Sequence, residues 1–312
     1  MSRLHDKKIR KILVIGLPYF AEITAKRLSV FDSTCKYIPI DSSANIWGAL
    51  KFAVNIWNAD IVYMIGGSAT CGGALRLSLL LRKHIIMHWV GTDVIEAKKN
   101  IQSGNSNKKL ITYARHFCDA PWLQEELHGI GIEASLKYLS CIDNEPKIEP
   151  LPPKFLILSY VGKGRESFYG IEKLIAIAER FPQIPIEIST LETYKHNLPK
   201  NIRLLGFVPS LKEKMKECVL FLRLPEHDGF PFTIIEAMEI GRYVAYIHEL
   251  PGIFKPNTKE DLFEYIEQLY AKYSIGLLEP NYSGFEYVRN NHSAAGVIGN
   301  LMQSLKVQND DK

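Results

Sequence analysis

Short apolar runs that stop at a glycine, each followed by helical periodicity, constrain this chain more than any other feature. Arg10-Lys-Ile-Leu-Val-Ile-Gly16 is such a run, and Ala21 to Leu28 after it reads as a helix. Tyr37 to Ile40, Asp60 to Gly66 and His84 to Trp89 repeat the strand signal, with helical stretches at Ile46 to Trp57 and Leu75 to Arg82 between them. Unbroken apolar runs of this length belong to strands buried on both faces. Alternation with helices sets such strands side by side in a covered parallel sheet. Pro121 opens one more short helix, which Gly129 and Gly131 end.

A second set of the same kind follows. Between Glu145 and Pro153 four prolines in nine residues exclude regular structure and mark a linker. Beyond it come a strand at Lys154 to Val161, a helix at Ile171 to Phe181, and strands at Ile184 to Ser189 and Ile202 to Leu205. Ser210-Leu-Lys-Glu predicts a capping box and a helix to Glu217. Two later helical patterns lie near Leu262 to Tyr270 and Ala294 to Leu305, and Gln308 to Lys312 read as disordered. The expected organisation is therefore a domain over 1–145, a linker over 146–153, a second domain over 154–285 and a terminal helix over 286–312 that could cross back onto the first domain.

Composition excludes several classes. With 312 residues, 46% of them hydrophobic and 23% charged, the chain suits two ordinary globular α/β domains. A net charge of +4 gives no support for nucleic-acid binding. No eighteen-residue apolar run predicts a membrane span, and the start, Met1 to Lys8, does not read as a signal peptide. The five cysteines (35, 71, 118, 141 and 218) are unpaired in spacing, so a reduced, cytoplasmic protein without a metal site is expected.

The chemistry concentrates after Cys218-Val-Leu-Phe-Leu, itself a buried-strand pattern. Asp228-Gly-Phe-Pro-Phe-Thr-Ile-Ile-Glu236-Ala-Met follows, then Gly241 as a helix stop and Tyr243 to Ile247 as the next strand. Glu236 is expected to open the helix. A strand, an acidic loop and a helix N-terminus together form an anion-binding arrangement at a sheet edge.

These residues resemble the E-x7-E signature of retaining, nucleotide-sugar-dependent glycosyltransferases of family 4, with Asp in place of the first Glu. The resemblance is strongest over residues 154–252. It implies the GT-B fold: α/β, two Rossmann-like domains with parallel sheets facing across a cleft. It implies that Glu236 holds the donor ribose and Asp228 orients sugar hydroxyls. Gly229, Phe230, Phe232 and Thr233 lie in the loop against sugar and diphosphate, where Pro231 and Thr233 depart from the family's Gly and Pro. Tyr160-Val-Gly-Lys-Gly-Arg-Glu-Ser-Phe-Tyr-Gly170 is similar to the family's phosphate loop. Lys163 stands at its Arg position, Tyr169 where the second cation is usual, and Arg165 is placed to take over that charge. Arg223 reads equally as a phosphate ligand or as the partner of Asp228. His227 reads as an exposed loop histidine. Val208, after Leu205-Gly-Phe, matches the turn that receives the nucleotide base, and reads equally as a plain strand-to-helix turn.

In the first half, Gly16-Leu-Pro-Tyr and Gly66-Gly67-Ser-Ala-Thr-Cys-Gly-Gly resemble loops that approach donor or acceptor, with tight connections as the other reading. His88 matches a histidine that the family places against the donor sugar, or is a core histidine. Asp93 caps the next helix or takes part in the chemistry. The cations Arg76, Arg82, Lys83, Lys98, Lys99, Lys108 and Lys109 suit an anionic membrane surface, with Leu75 to Leu81 lying in the interface. The other reading of that segment is a core helix with solvated ends.

The expected function is transfer of a sugar from a nucleoside diphosphate, without cofactor or metal, to a glycan or lipid-linked hydroxyl, with retention of configuration. Peripheral membrane contact is a further expectation, and a nucleic-acid partner is not expected. The alternatives are a non-catalytic GT-B partner protein, favoured by Tyr169 and Asp228, and a nucleotide-sugar 2-epimerase.

Overall fold

The computed structural model describes residues 10–42 and 45–306. The readings for Met1 to Lys8 and for Gln308 to Lys312 lie outside them. The chain divides into two compact units, one comprising residues up to Leu139 and from Ala295 onward, the other Ser140–Ala294.

In the first unit β1 (Arg10–Gly16), α1 (Pro18–Phe31), β2 (Cys35–Pro39), α2 (Ile46–Ile56), β3 (Ile61–Ile65), α3 (Gly73–Leu80), β4 (His84–Trp89), α4 (Thr92–Gln102), α5 (Lys108–Tyr113), β5 (Arg115–Cys118), α6 (Pro121–His128) and β6 (Ala134–Leu136) follow one another. The sheet order is β2-β1-β3-β4-β5-β6, and every pairing is parallel. Ile12, Leu13, Val14 and Ile15 are each at most 2% exposed, so both faces of β1 are covered, as its unbroken apolar run requires.

In the second unit β7 (Ile157–Tyr160), α7 (Ile171–Arg180), β8 (Ile186–Ser189), β9 (Ile202–Gly206), α8 (Leu211–Met215), β10 (Leu220–Arg223), α9 (Phe232–Met238), β11 (Tyr243–Tyr246), β12 (Ile253–Phe254), α10 (Lys259–Ser274) and α11 (Tyr282–Asn291) give the order β12-β11-β10-β7-β8-β9, again parallel. The proline-rich stretch belongs to this unit. Glu149 N–H donates to Ile240 O, and the buried Arg242 donates to the carbonyls of Glu149, Met215 and Lys216. Two of those carbonyls end α8, so the guanidinium caps a helix C-terminus.

Helix α12 (Ala294–Lys306) completes the first unit. Val297, Ile298, Leu301 and Leu305 are buried. Arg10 Nη1 and Arg115 Nη1 donate to Lys306 O and Ser304 O at 2.9 and 2.8 Å, placing two cations at the negative end of the helix. Lys306 Nζ lies 3.0 Å from the buried Asp32. Burial pushes the Asp32 carboxyl upward, but hydrogen bonds from Thr34, Lys306 and Tyr37 outweigh it and hold it well below the usual range.

Each sheet has one point where successive strands depart in opposite directions. In the first unit it falls between β1 and β3, in the second between β7 and β10. Loops leaving the carboxyl ends of such a strand pair open into a crevice where α/β proteins bind ligands.

Candidate functional site

The second switch point gathers most of the expected residues. The loop after β7 carries Lys163 and Arg165, both exposed; the loop after β10 carries Asp228 and leads into α9. The two loops are joined directly. Glu226 N–H donates to Phe168 O at 2.8 Å, and Lys173 Nζ donates to Leu224 O at 3.1 Å.

Arg223 is paired with Asp228 through Nε–Oδ2 at 2.5 Å and Nη2–Oδ1 at 3.2 Å, a two-point grip suited to a planar guanidinium. Of the two sequence readings for Arg223, the geometry is that of the ion pair. Burial disfavours the Arg223 charge, but Asp228 outweighs it and the guanidinium is held protonated. Its outer surface meets aromatic rings, Tyr160 at 5.3 Å and Tyr169 at 5.9 Å from the ring centres. Arg165 lies 4.0 Å over Phe168 and 5.8 Å from Tyr169. Tyr169 thus stands between two guanidinium groups, which a second cation there would repel.

The rest of the acidic loop is tethered through its backbone. Tyr246 Oη donates to Gly229 O at 2.5 Å, and Ser140 Oγ donates to Phe230 O at 2.6 Å. Phe230 is 2% exposed, with its ring 5.0 Å from that of His292. Phe230 therefore anchors the loop in the core, with both its ring and its carbonyl engaged there. His227 is partly buried beside Asp228.

Glu236 does not open its helix. Pro231, at φ −74°, is the N-cap, and the helix starts at Phe232. Proline's fixed φ and missing N–H suit a helix start, which moves the boundary upstream of the expected place. Glu236 lies one turn in and is partly buried. Thr233, in the first turn, has a buried Oγ1 without a hydrogen-bond partner among the described residues. Val208 follows β9 in a short loop beside the exposed Phe207. Tyr160, Tyr246 and Ser140 escape sequence reading because their roles depend on strand pairing and long-range contacts.

The first switch point is built differently. Gly16, at φ +104°, lies so close to β3 that an added Cβ would fall 1.9 Å from Ile65 O. Gly67 N–H donates to Asp93 Oδ2 at 2.6 Å, and the same carboxylate accepts from the backbones of Val90, Gly91 and Val94. Asp93 is thus a clamp in the first turn of α4, its pKa raised to about 6 by desolvation against the pull of those N–H groups. His88 is 0% exposed. Its Nδ1 lies 2.6 Å from Tyr63 Oη, its ring meets Phe117 edge-on, and Nε2 faces the Cys118 and Lys137 backbones without a well-formed hydrogen bond. Burial lowers its pKa to about 3, so it is neutral at ordinary pH. This is the environment of a core histidine.

Among the described residues no group of three or more His, Cys, Asp or Glu side chains is placed to hold a metal ion. No described helix is long and apolar enough to cross a membrane. Within α3, Leu75 and Ser78 are buried and Leu77 packs on the core, as does Leu81 just past its end, as in a core helix with a solvated end.

No family model matches the sequence, and no curated protein matches it. Solved structures do. A sucrose-phosphate synthase from Thermosynechococcus elongatus aligns with TM-score 0.70 over 95% of this chain and 98% of its own, at 12% identity. WaaG, a glycosyltransferase involved in lipopolysaccharide biosynthesis, aligns with TM-score 0.62 over 95% and 100%, at 11% identity. The chain has the GT-B fold. MnaA of S. aureus, solved with UDP, is similar over 95% of this chain and 96% of its own, with TM-score 0.57 and 11% identity. In this GT-B protein both switch points carry glycine-containing loops, and the second joins its cationic loop to the acidic one.

Proposed function

We propose that this chain is a retaining glycosyltransferase that moves a sugar from a nucleoside diphosphate to a hydroxyl of a glycan or lipid-linked acceptor. One observation carries the reading: at the second switch point a cationic loop and an acidic loop are hydrogen-bonded to each other beside the start of α9. Lys163 and Arg165 would bind the diphosphate, whose negative charge grows as the anomeric C–O bond breaks. Thr233 Oγ1 and the first-turn N–H groups of α9 add donors for the same oxygens. Glu236 would accept hydrogen bonds from the ribose diol. Asp228, oriented by Arg223, would accept from sugar hydroxyls.

The bonding electrons of the broken C–O bond pass to the diphosphate oxygen. The acceptor oxygen attacks from the same face, and its proton passes to the departing diphosphate. On this reading the cations Lys163 and Arg165 neutralise the leaving group without a metal. The buried, neutral His88 takes no direct part.

Calorimetry with UDP, GDP, ADP, dTDP and their sugar conjugates tests the proposal, with UDP first because the MnaA neighbour was solved with it. One nucleotide is expected to bind with micromolar Kd, weakened about tenfold or more in Glu236→Ala through loss of a charged hydrogen-bond pair. Failure of every nucleotide to bind at millimolar concentration would transfer the case to a non-catalytic GT-B partner. Product analysis with donor alone separates transfer from epimerisation.

A further inference from the structure

Helix α2 has two apolar faces where a helix covering a sheet needs one. Phe52 and Ile56, 3% and 0% exposed, seat it on the core with Leu13, Ile15 and Val62. On another side Trp47, Leu50, Val54 and Trp57 recur at helical spacing and form one stripe. They are 75%, 49%, 71% and 66% exposed. Ile46 extends the stripe at 71%, and Leu80 of the neighbouring α3 is likewise exposed, at 78%. A contiguous apolar patch with two tryptophans is costly in water and marks a contact surface.

The charges around it indicate the partner. From Ile40 to His84 the chain has four cations, Lys51, Arg76, Arg82 and Lys83, against two acids, Asp41 beside the first turn of α2 and Asp60. Asp60 is engaged by Lys11 N–H at 2.8 Å. Lys51 is exposed at the edge of the stripe, and Lys83 Nζ donates to Trp57 O and Ala59 O, which puts its charge beside Trp57. An apolar stripe with two tryptophans, edged by Lys51 and Lys83, fits an anionic lipid surface: the indoles settle at headgroup depth and the cations meet phosphate. At eleven residues α2 is too short to span a bilayer and suited to lie in its plane.

We propose that α2 docks this protein on an anionic bilayer through the Trp47–Trp57 stripe. Each helix that follows a parallel strand starts at the carboxyl edge of the sheet, so Trp47 lies at the edge that carries the Gly16 and Gly67 loops. Docking there would bring a lipid-linked acceptor to that edge; only this last consequence rests on the proposed activity.

Vesicle flotation of the full chain tests docking apart from catalysis. Binding is expected to vesicles of phosphatidylcholine with phosphatidylglycerol, and to weaken in phosphatidylcholine alone or at high salt. Trp47→Ala with Trp57→Ala is expected to lower partitioning about tenfold or more, and Lys51→Gln about fivefold. The Trp→Phe pair should restore most of it. Brominated lipids should quench wild-type tryptophan fluorescence, an effect that does not depend on a variant folding. Equal binding to neutral and anionic vesicles, absence of quenching, or an unaffected double variant would overturn the proposal. So would a concentration-dependent dimer lost in the double variant, which would assign the stripe to a second copy. Nucleotide binding by the double variant should equal wild type, so failed docking and a failed donor site are told apart.

Discussion

The two switch points share a backbone plan and differ in what stiffens them. In the first, between β1 and β3, backbone meets backbone: Gly16 touches Ile65, and one carboxylate, Asp93, gathers four N–H groups. In the second, between β7 and β10, side chains do the work through the Arg223–Asp228 pair and the rings of Tyr160 and Tyr169. A backbone-built crevice offers shape and little charge. A side-chain-built one offers charge that a ligand can rearrange, and the proposed donor site is placed there for that reason.

The comparison is broken most severely at the ion pair. Asp228→Ala leaves Arg223, 8% exposed, without its counter-charge and is expected to cost about 3–5 kcal/mol. Adding Arg223→Met should recover much of that loss, measured by denaturant unfolding with hydrogen exchange to assign it to the second unit. Next come the glycines. Gly16→Ala puts a Cβ into a carbonyl at positive φ and is expected to cost about 2–3 kcal/mol. Gly162→Ala meets only the ring of Tyr169, at 2.6 Å, and a ring can shift, so about 1 kcal/mol is expected. Equal costs would mean that the two crevices are not built differently.

Acid should act on both units. Burial lowers the pKa of His88 to about 3, and lowers that of His292 as well. The unfolded chain takes up these protons from about pH 6.5 downward while the folded one does not, so the stability that the two histidines contribute is full above that pH and falls as pH drops towards 3; in the first unit Asp93, with its pKa raised to about 6, opposes this by gaining its proton in the folded state first. For His88 alone the loss is about 2–3 kcal/mol by pH 4.5, read from unfolding midpoints across pH. The smallest effect is Tyr63→Phe, about 1 kcal/mol for the hydrogen bond to His88.

What the sequence disclosed follows from burial. β1 and β4 match their apolar runs residue for residue, because strands covered on both faces need unbroken hydrophobic stretches. β5, Arg-His-Phe-Cys, has no β-branched residue and gave no such signal. α11 contains Ser, Gly and two Asn, poor helix formers, and depends on the Asn281 cap and tertiary packing. At the site, the acidic loop and its cations were legible as a local motif. The placement of Glu236 within its helix and the rings around Arg223 were not, and the sequence left two readings of His88 open, since each is set by residues distant in sequence.

The helix that completes the first unit is synthesised only after the whole of the second. Residues 140–294 make up their unit without it, whereas the strands of the first unit, made earlier, still await α12 and the contacts of Arg10 and Arg115 with its carbonyls. The half of the molecule made first is therefore the half finished last.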